Sequence, residues 1–324
     1  MYSIKTLQEI FSESLSGQEF KQSPPELYDP VRYTLSHGGK RLRPVLLLAG
    51  CDLFGGDIKP ALFPAIGIEL FHNFTLLHDD IMDQAPLRRG KSTVHKKWDT
   101  NIAILSGDTL FALAYQYLLQ CDRDALPQVM EVFTRTAIEV CEGQQWDMNF
   151  EDQADVSIDQ YLEMIRLKTA VLFACSLKIG ALIAGADATG ANNLYDCGMH
   201  LGIAFQLQDD LLDIYSDEEV FGKKSGGDIV ANKKTYPYLK ALEMADKGLR
   251  SRLLQLFGGT AGNVMAKVAE VKGIYSQLDI KQHTQDAMNG YYAKALGNLG
   301  SIPVDHVRKS VLESLILGMR ERIS

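Results

Sequence analysis

The sequence predicts an all-α protein, a single domain over residues 1–324 built as a bundle of many helices. Apolar residues recur at three- and four-residue spacing over most of the chain, which is the period of an amphipathic helix. Alternating runs joined by Asn-Gly or Asp-Gly turns are absent, so strands are not expected. The segments with helical spacing are 44–54, 61–83, 100–121, 125–148, 157–184, 190–215 and 276–296.

Two of these segments, 103–119 and 170–184, are apolar around most of their circumference. A helix that is apolar on all sides belongs in the middle of a large bundle. No long low-complexity linker interrupts the chain, and it shows no internal repeat of about 20–50 residues. We therefore expect one domain with a buried central layer of helices.

The composition excludes several classes of protein. With 46% hydrophobic and 23% charged residues, the 324-residue chain is a folded globular protein. Its formal net charge of -8 argues against nucleic-acid binding, which needs a clustered basic surplus. No apolar run reaches the roughly 18 residues of a membrane span, and the N-terminus lacks the layout of a signal peptide. Five scattered cysteines without metal-ligand spacing predict free thiols in a reducing compartment, so we expect a cytoplasmic protein.

A first acidic cluster, Asp79-Asp80-Ile81-Met82-Asp83, ends a long apolar helical segment. Asp79 and Asp83 are four residues apart, so their carboxylates lie on one helical face about one turn apart. Like charges in this position repel each other unless a cation lies between them. Mg²⁺ fits, because it takes one or two carboxylates and completes its shell with water and phosphate oxygens. A solvated acidic helix end is the alternative for one such motif taken alone.

A second acidic cluster, Asp209-Asp210-Leu211-Leu212-Asp213, repeats this arrangement after the apolar run 201–205. Two such clusters on two helices favour a cavity in which several metal ions bind one diphosphate. Metal ions that neutralise a diphosphate leaving group remove the need for a protein nucleophile.

Basic clusters supply the complementary charge. Lys40, Arg41 and Arg43 follow a Gly-Gly turn and precede a proline that suits the first turn of a helix, a favourable place for an anion. Arg88 and Arg89 directly follow the first acidic cluster, within reach of the same phosphates. His72 precedes Asp79 by two helical turns on roughly the same face. The other candidate cations are Lys168, Lys223 and Lys233. The lysines of 222–235 do not form a P-loop, and this stretch suggests a flap that closes over phosphates.

Taken together, these motifs resemble those of the trans-isoprenyl diphosphate synthases, also called the polyprenyl synthetase family, of the short-chain geranylgeranyl or farnesyl diphosphate synthase type. The resemblance runs from about Gly38 to Pro237. It is carried by GGKRLRP (38–44), FHNFTLLHDDIMD (71–83), LRRG (87–90), GQQWD (143–147), KT (168–169), FQLQDDLLD (205–213) and FGKKSGGDIVANKKT (221–235). The resemblance implies an all-α bundle around a central cavity, usually a homodimer.

The resemblance also implies a reaction and a role for each candidate residue. Isopentenyl diphosphate would condense with an allylic diphosphate (C5–C15) to give a trans prenyl diphosphate, and Thr169 and Gln206 would stabilise the allylic carbocation. Three Mg²⁺ ions would be bound by Asp79, Asp83 and Asp209, with support from Asp80, Asp210 and Asp213. The allylic diphosphate would be held by Arg88, Lys168, Lys223 and Lys233. Isopentenyl diphosphate would be held by Lys40, Arg43, His72 and Arg89, with Arg41 as a further member.

Product length is expected to depend on the residues just upstream of the first acidic cluster, Phe71, Phe74 and Thr75. Ideal helix geometry places Thr75 one turn below Asp79 on the same face and rotates Phe74 away from that face. By resemblance, an aromatic residue at position 74 followed by a small residue indicates a short product, C20 or C15. The alternative is that Phe74 is only part of the core.

Two other functions remain open at this stage. A terpene cyclase also uses an aspartate-rich motif and Mg²⁺, but it takes one diphosphate and does not need the cations of residues 40–43 and Arg89. A non-catalytic subunit of a heteromeric synthase typically lacks one of the aspartate motifs, and both are present here.

Overall fold

The computed structural model describes residues 1–153, 155–216, 226–259 and 263–321, and these are almost entirely helical. This confirms the predicted all-α class. One two-stranded hairpin is described, formed by β1 (Leu87–Arg88) and β2 (Lys91–Ser92). The helices are α1 (Ile4–Ser16), α2 (Pro25–Leu35), α3 (Leu42–Leu53), α4 (Leu62–Met82), α5 (Val94–Lys97), α6 (Thr100–Leu118), α7 (Leu126–Asp152), α8 (Ile158–Ile165), α9 (Val171–Ile183), α10 (Ala188–Tyr215), α11 (Gly227–Val230), α12 (Tyr236–Met244), α13 (Lys247–Gly258), α14 (Val264–Gln277), α15 (Ile280–Gly300) and α16 (His306–Arg320).

The chain folds into two compact units. The first comprises Met1–Thr134, Cys175–Leu194 and Pro303–Leu312, and the second Arg135–Ala174, Tyr195–Ile302 and Glu313–Ser324. The prediction that residues 1–324 form one domain stays a prediction.

In the first unit, α4 packs extensively along α6. Gly67 permits this close approach, because a Cβ there would lie 2.9 Å from the carbonyl oxygen of Ala114. Helix α3 contributes the fully buried Val45 and Leu46 to the same core. The long, well-packed α4 thus fixes the position of the acidic cluster at its C-terminal end.

In the second unit, α10 contributes fully buried residues such as Leu201, Ala204 and Leu207. A Cβ at Gly202 would lie 2.5 Å from the Cα of Ala170, so the helix passes against the chain at 170 with no room for a side chain. This contact holds the second acidic cluster near the end of α10 on a rigid element.

The structure corrects three details of the predicted helices. Residues 103–119 are not buried on all sides, because Leu105 and Leu119 on one side of α6 are 58% and 56% exposed. Segment 276–296 is not one helix: α14 ends at Gln277, and Asp279 takes a left-handed conformation before α15 begins. Segment 157–184 is interrupted by a π-helical turn, Arg166–Ala170. The expectation that 170–184 is buried on all sides is confirmed over 171–180, where every residue is buried except Lys178, which is half-buried.

The close packing of α10 predicts a stability effect at Gly198. A Cβ there would lie 2.6 Å from the Cα of Ala174, which is backbone and does not yield like a flexible side chain. We expect Gly198→Ala to destabilise the protein by about 1–3 kcal/mol, because the helix must shift. Thermal unfolding followed by circular dichroism measures this.

The matched control is Gly290→Ala, at an exposed position of α15 with no atom within 4 Å of the added Cβ. There alanine is expected to stabilise the helix by up to about 1 kcal/mol. A Gly198→Ala protein that gains stability in the same way would contradict the packing argument.

Candidate active site

The first acidic cluster lies in the last turn of α4. Asp79 is partly exposed, with 20% of its side chain accessible, Asp83 is exposed, and Asp80 is buried. Carboxylates are unfavourable at a helix C-terminus, because the helix dipole is negative there. This end of α4 is therefore a place where a bound cation stabilises the fold.

Arg88 binds this cluster from the hairpin. Its Nε donates to Asp80 Oδ1 at 2.7 Å, and its Nη2 lies 3.5 Å from Asp79 Oδ2. Burial raises the pKa of Asp80 to about 6, while the Arg88 charge and hydrogen bond oppose the rise. The Arg89-Gly90 turn that aims Arg88 has positive φ at both residues (52° and 75°), as a tight type I′ hairpin requires.

Arg89 reaches the Gly38-Gly39 turn and donates to the carbonyl oxygen of Gly38. A Cβ at Gly39 would lie 2.6 Å from Arg89 Nη1, and Gly39 has φ +125°. Glycine is therefore needed at position 39 both for the backbone conformation and for the guanidinium. Burial lowers the pKa of Arg89, and the nearby Arg41 contributes to this.

The Arg41 side chain is engaged by acceptors in the core. Its guanidinium forms an ion pair with Glu69, which is 3% exposed, and donates to the carbonyl oxygen of Leu35 at 2.7 Å. Asn73 donates to the same Glu69 carboxylate at 2.9 Å. Arg41 thus occupies a closed, buried network at the start of α3.

Arg43 and His72 are brought together, with Arg43 Nη1 3.0 Å from His72 Nε2. Burial, followed by the charge of Arg43, holds the pKa of His72 well below its usual range. The imidazole is therefore neutral and accepts this hydrogen bond. Lys40 is exposed at the start of the same segment.

A small recess lies beside these groups in the first unit. Arg88 and Arg89 line it together with residues that had no predicted role, among them Thr34, His37 and Asn73. Burial, followed by the charges of Lys91 and Arg89, lowers the pKa of His37. No quoted motif includes Thr34 or His37, whereas Asn73 lies within FHNFTLLHDDIMD (71–83) but had no assigned role.

The second acidic cluster repeats the exposure pattern of the first. Asp209 is exposed, whereas Asp210 is 2% exposed. Asp213 Oδ2 accepts the backbone N–H of Asp228 at 2.9 Å and so ties the end of α10 to α11. Burial raises the pKa of Asp228, and the neighbouring Asp213 adds to the rise.

Asp210 is held by a chain of hydrogen bonds. Its Oδ2 accepts from the Tyr161 hydroxyl at 2.5 Å, and its Oδ1 accepts from Gln206 Nε2 at 3.2 Å. Thr169 Oγ1 donates to Gln206 Oε1 at 3.1 Å. Burial raises the pKa of Asp210 to about 8, with Asp228 adding to the rise. Thr169 and Gln206, predicted as a pair, are in direct contact.

Lys168 and Thr169 lie in the π-helical turn, a distortion that is frequent at functional sites. Lys168 Nζ pairs with Asp147 Oδ2 at 2.5 Å. A Cβ at Gly143 would lie 2.7 Å from the Lys168 Cα, so this glycine lets α7 approach the turn. The segment GQQWD thus supplies both the glycine contact and the partner of Lys168, two roles that its sequence alone did not predict.

A second, larger recess lies in the second unit. Lys168, Thr169, Gln206, Asp210 and Lys233 line it, as do several residues without a predicted role: Asp147, Tyr161, Asp228, Asn232 and Lys234. Lys234 is engaged by the backbone at the C-terminal end of α7, where Nζ donates to the Glu151 carbonyl at 3.1 Å. Lys223 lies outside the residues that the structure describes.

The three residues predicted to set product length lie in or beside an aromatic cluster. Phe71 and Phe74 have ring centroids 5.5 Å apart, and Phe74 stacks obliquely on Phe111 of α6 at 5.0 Å. Phe71 is fully buried, whereas Phe74 is only partly buried. Thr75 donates its hydroxyl hydrogen to the carbonyl oxygen of His72 at 2.8 Å.

The donor set fits Mg²⁺. In each cluster the first aspartate is at least partly accessible and the second is buried and hydrogen-bonded, so carboxylate oxygens are offered at helix ends that favour cations. Within the described ranges, no group of three His, Cys, Asp or Glu side chains is arranged to hold a metal alone. This suits an ion that takes one or two carboxylates and obtains its other ligands from water and substrate phosphate.

Comparisons with known proteins agree with the fold. The family described as polyprenyl synthetase matches residues 24–278. The geranylgeranyl diphosphate synthase of Sulfolobus acidocaldarius is 39% identical over 308 residues, 92% of this chain and 90% of that protein. A crystal structure of a geranylgeranyl pyrophosphate synthase superposes with a TM-score of 0.95 at 46% identity, covering 99% of both chains. The geranylgeranyl pyrophosphate synthetase of Pyrococcus horikoshii Ot3 gives 0.88 at 36% identity, covering 98% of this chain and 95% of that one.

An all-helical fold with two aspartate clusters and adjacent cations defines an enzyme that acts on prenyl diphosphates. The chain belongs to the polyprenyl synthetase family and is a trans-prenyltransferase of the short-chain trans-isoprenyl diphosphate synthase group. Enzymes of this family depend on Mg²⁺. In the part of the chain that the structure describes, no helix combines the length and apolar character needed to cross a bilayer.

Proposed function

We propose that this enzyme condenses isopentenyl diphosphate with allylic diphosphates of the C5–C15 class, head to tail, and releases a trans C20 prenyl diphosphate. The observation that carries the proposal is the pair of aspartate clusters, each with accessible carboxylates and a nearby cation, Arg88 or Lys168. The names of the relatives in Sulfolobus acidocaldarius and Pyrococcus horikoshii support the C20 product.

We propose that Asp79, Asp83 and Asp209 bind Mg²⁺, three ions in all, when the allylic diphosphate is present. The accessibility of these carboxylates supports this division of roles. Bound Mg²⁺ supplies positive charge that neutralises the departing diphosphate. The buried or hydrogen-bonded aspartates keep the helix ends in place, and these are Asp80, Asp210 and Asp213.

The cations divide between the two substrates. Lys40, Arg43, His72 and Arg89 hold isopentenyl diphosphate, and the Arg43–His72 hydrogen bond keeps both side chains oriented. Arg41 supports this group from its Glu69 ion pair instead of contacting the substrate. The allylic diphosphate is held by Arg88, Lys168, Lys223 and Lys233.

Ionisation of the allylic substrate leaves a carbocation that the double bond of isopentenyl diphosphate attacks, and the departing diphosphate then takes up the released proton. Oxygen dipoles fixed before the reaction stabilise developing positive charge without reorganising. The oxygens of Thr169 and Gln206 serve this purpose, because they lie in contact in the recess that Lys168 also lines. Lys168 stabilises the diphosphate that leaves.

The test is incubation of the purified protein with radiolabelled isopentenyl diphosphate, Mg²⁺ and each of the C5, C10 and C15 allylic diphosphates in turn. We expect all three to be extended to C20, and a chelator to abolish the reaction. Hydrocarbon formed from an allylic diphosphate alone would indicate a cyclase. No turnover with any primer would indicate a non-catalytic subunit.

We also propose that the enzyme is a cytoplasmic homodimer. The exposed Leu105 of α6 and Leu119 just after it support self-association, since apolar patches exposed on a surface often mark an interface. Light scattering should give twice the 36.0 kDa mass of the chain. A mass of one chain at micromolar concentration would contradict the dimer.

A further inference from the structure

The buried hydroxyl of Tyr161 has no assigned role, yet it begins a hydrogen-bond chain that ends in the recess. The chain runs from the Tyr161 hydroxyl to Asp210 Oδ2 at 2.5 Å, and from Gln206 Nε2 to Asp210 Oδ1 at 3.2 Å. The far end of the Gln206 amide, Oε1, accepts from Thr169 at 3.1 Å. Tyr161 and Asp210 are each only 2% exposed.

These hydrogen bonds determine which end of the Gln206 amide points toward Thr169. The two ends of an amide are similar in size but opposite in polarity, since the oxygen accepts hydrogen bonds and the nitrogen donates them. The oxygens of Asp210 attract the amide nitrogen, so the amide oxygen is turned to the other side. Reversing the amide would end the hydrogen bond from Gln206 Nε2 to Asp210 Oδ1 and would present N–H groups, of the wrong polarity, to a cation.

Asp210 can orient the amide only if its own carboxyl group does not rotate. Tyr161 prevents rotation because it occupies the second oxygen of Asp210 from the opposite side of the carboxyl group. Without that hydroxyl, one oxygen of a 2% exposed carboxyl group would have lost its partner. A buried acceptor without its hydrogen bond favours rearrangement of the group around it.

We propose that Tyr161 is a positioning residue for the carbocation: acting through Asp210, it holds the Gln206 amide with its oxygen toward the allylic carbon. This inference rests on the proposed function, because it needs a reaction that passes through positive charge on carbon. Tyr161 and Asp210 act through Gln206 and Thr169, whose oxygens are the groups that meet the substrate.

The test begins with Tyr161→Phe, which removes the hydroxyl and keeps the ring. Outer hydrogen-bond partners of this kind typically change activity by about 10–100-fold. We expect kcat to fall by about tenfold with the KM of both diphosphates unchanged, because Tyr161 does not hold a phosphate. The matched control is Tyr292→Phe: Tyr292 is 1% exposed, and its hydroxyl donates to Gln208 Oε1, also on α10, at 3.2 Å. That variant should keep the wild-type kcat.

A binding measurement separates positioning from general packing. An allylic diphosphate analogue with a tertiary ammonium in place of the reacting carbon mimics the carbocation, whereas the thiolodiphosphate of the same chain is uncharged at that carbon. Tyr161→Phe should weaken binding of the ammonium analogue by about tenfold and leave binding of the thiolodiphosphate unchanged. Equal weakening of both analogues would overturn the proposal.

A double-mutant cycle closes the test. In a Gln206→Leu background the amide is gone, so Tyr161→Phe should have no further effect on kcat. An undiminished effect in that background, or a Tyr161→Phe enzyme indistinguishable from Tyr292→Phe, would overturn the inference. If Tyr161→Phe does not fold, Asp210→Asn replaces it, with the same losses expected. A wild-type enzyme that fails to condense the two diphosphates would instead overturn the proposed function.

Discussion

Asp209→Ala is expected to lower kcat by at least about 10²–10³-fold while making the protein slightly more stable. This loss of kcat is similar to the loss that follows removal of one group that stabilises charge in a transition state. The expected gain in stability has a separate cause. Asp209 and Asp213 are like charges at i and i+4 that repel each other, and alanine is the best helix former. Together these two effects contribute about 0.5–1 kcal/mol to the free energy of unfolding. Steady-state kinetics and thermal unfolding measure the two effects on the same samples.

Asp196→Ala is the matched control, because Asp196 is another exposed aspartate of α10 outside the acidic cluster. It should keep the wild-type kcat. Mg²⁺ with an allylic thiolodiphosphate should raise the melting temperature of the wild type and of Asp196→Ala. The increase for Asp209→Ala should be much smaller. Parallel loss of stability and activity in Asp209→Ala would mean that Asp209 is structural.

The acidic clusters could be predicted from sequence because their chemistry depends on local geometry. Asp79 and Asp83 share a face of any helix, and the apolar residues before them predict that helix. The division of each cluster into an accessible first aspartate and a buried second one could not be predicted. It depends on partners distant in sequence, such as Tyr161 for Asp210 and the hairpin arginine Arg88 for Asp80.

Long-range partners also decide which basic side chains point into the core, which a run of cations in the sequence does not show. Arg41 belongs to the same motif as Lys40 and Arg43, but Glu69, 28 residues away, pairs with it in the core. A run of basic residues in the sequence shows that positive charge is present, but it does not show which of the side chains points toward the core. The same holds for Asp147, whose role became visible only when α7 was seen beside the π-helical turn.

The predicted helix boundaries were wrong where the same residue pattern fits either one continuous helix or two. The apolar period of 276–296 continues through Asp279, although the backbone there is left-handed and starts a new helix. An apolar helix such as α6 has the same sequence whether it is covered within its own chain or by a second copy. Periodicity therefore predicts that a residue is apolar and helical, but not which molecule buries it.

Phe74→Ala is expected to shift the product from C20 to longer chains. The Phe74 ring is partly buried and packs against both Phe71 and Phe111, with centroids 5.5 and 5.0 Å away, and it meets His78 edge-on with centroids 4.7 Å apart. Removing it opens space on the side of α4 that faces α6, one turn and a half before Asp79. If a growing chain extends along α4 from the acidic cluster, this ring is an obstacle that alanine does not provide. Chromatographic sizing of the products measures the shift.

The matched control is Phe63→Ala, the same substitution near the other end of α4, where the ring is 39% exposed and packs at 6.2 Å from Tyr117. Its product should stay at C20, because Phe63 lies about 16 Å from Phe74 along the helix axis. A folded, active Phe74→Ala enzyme that still stops at C20 would show that Phe74 is only core. Longer products from both variants would show instead that looser packing of α4, and not the ring at position 74, limits the chain.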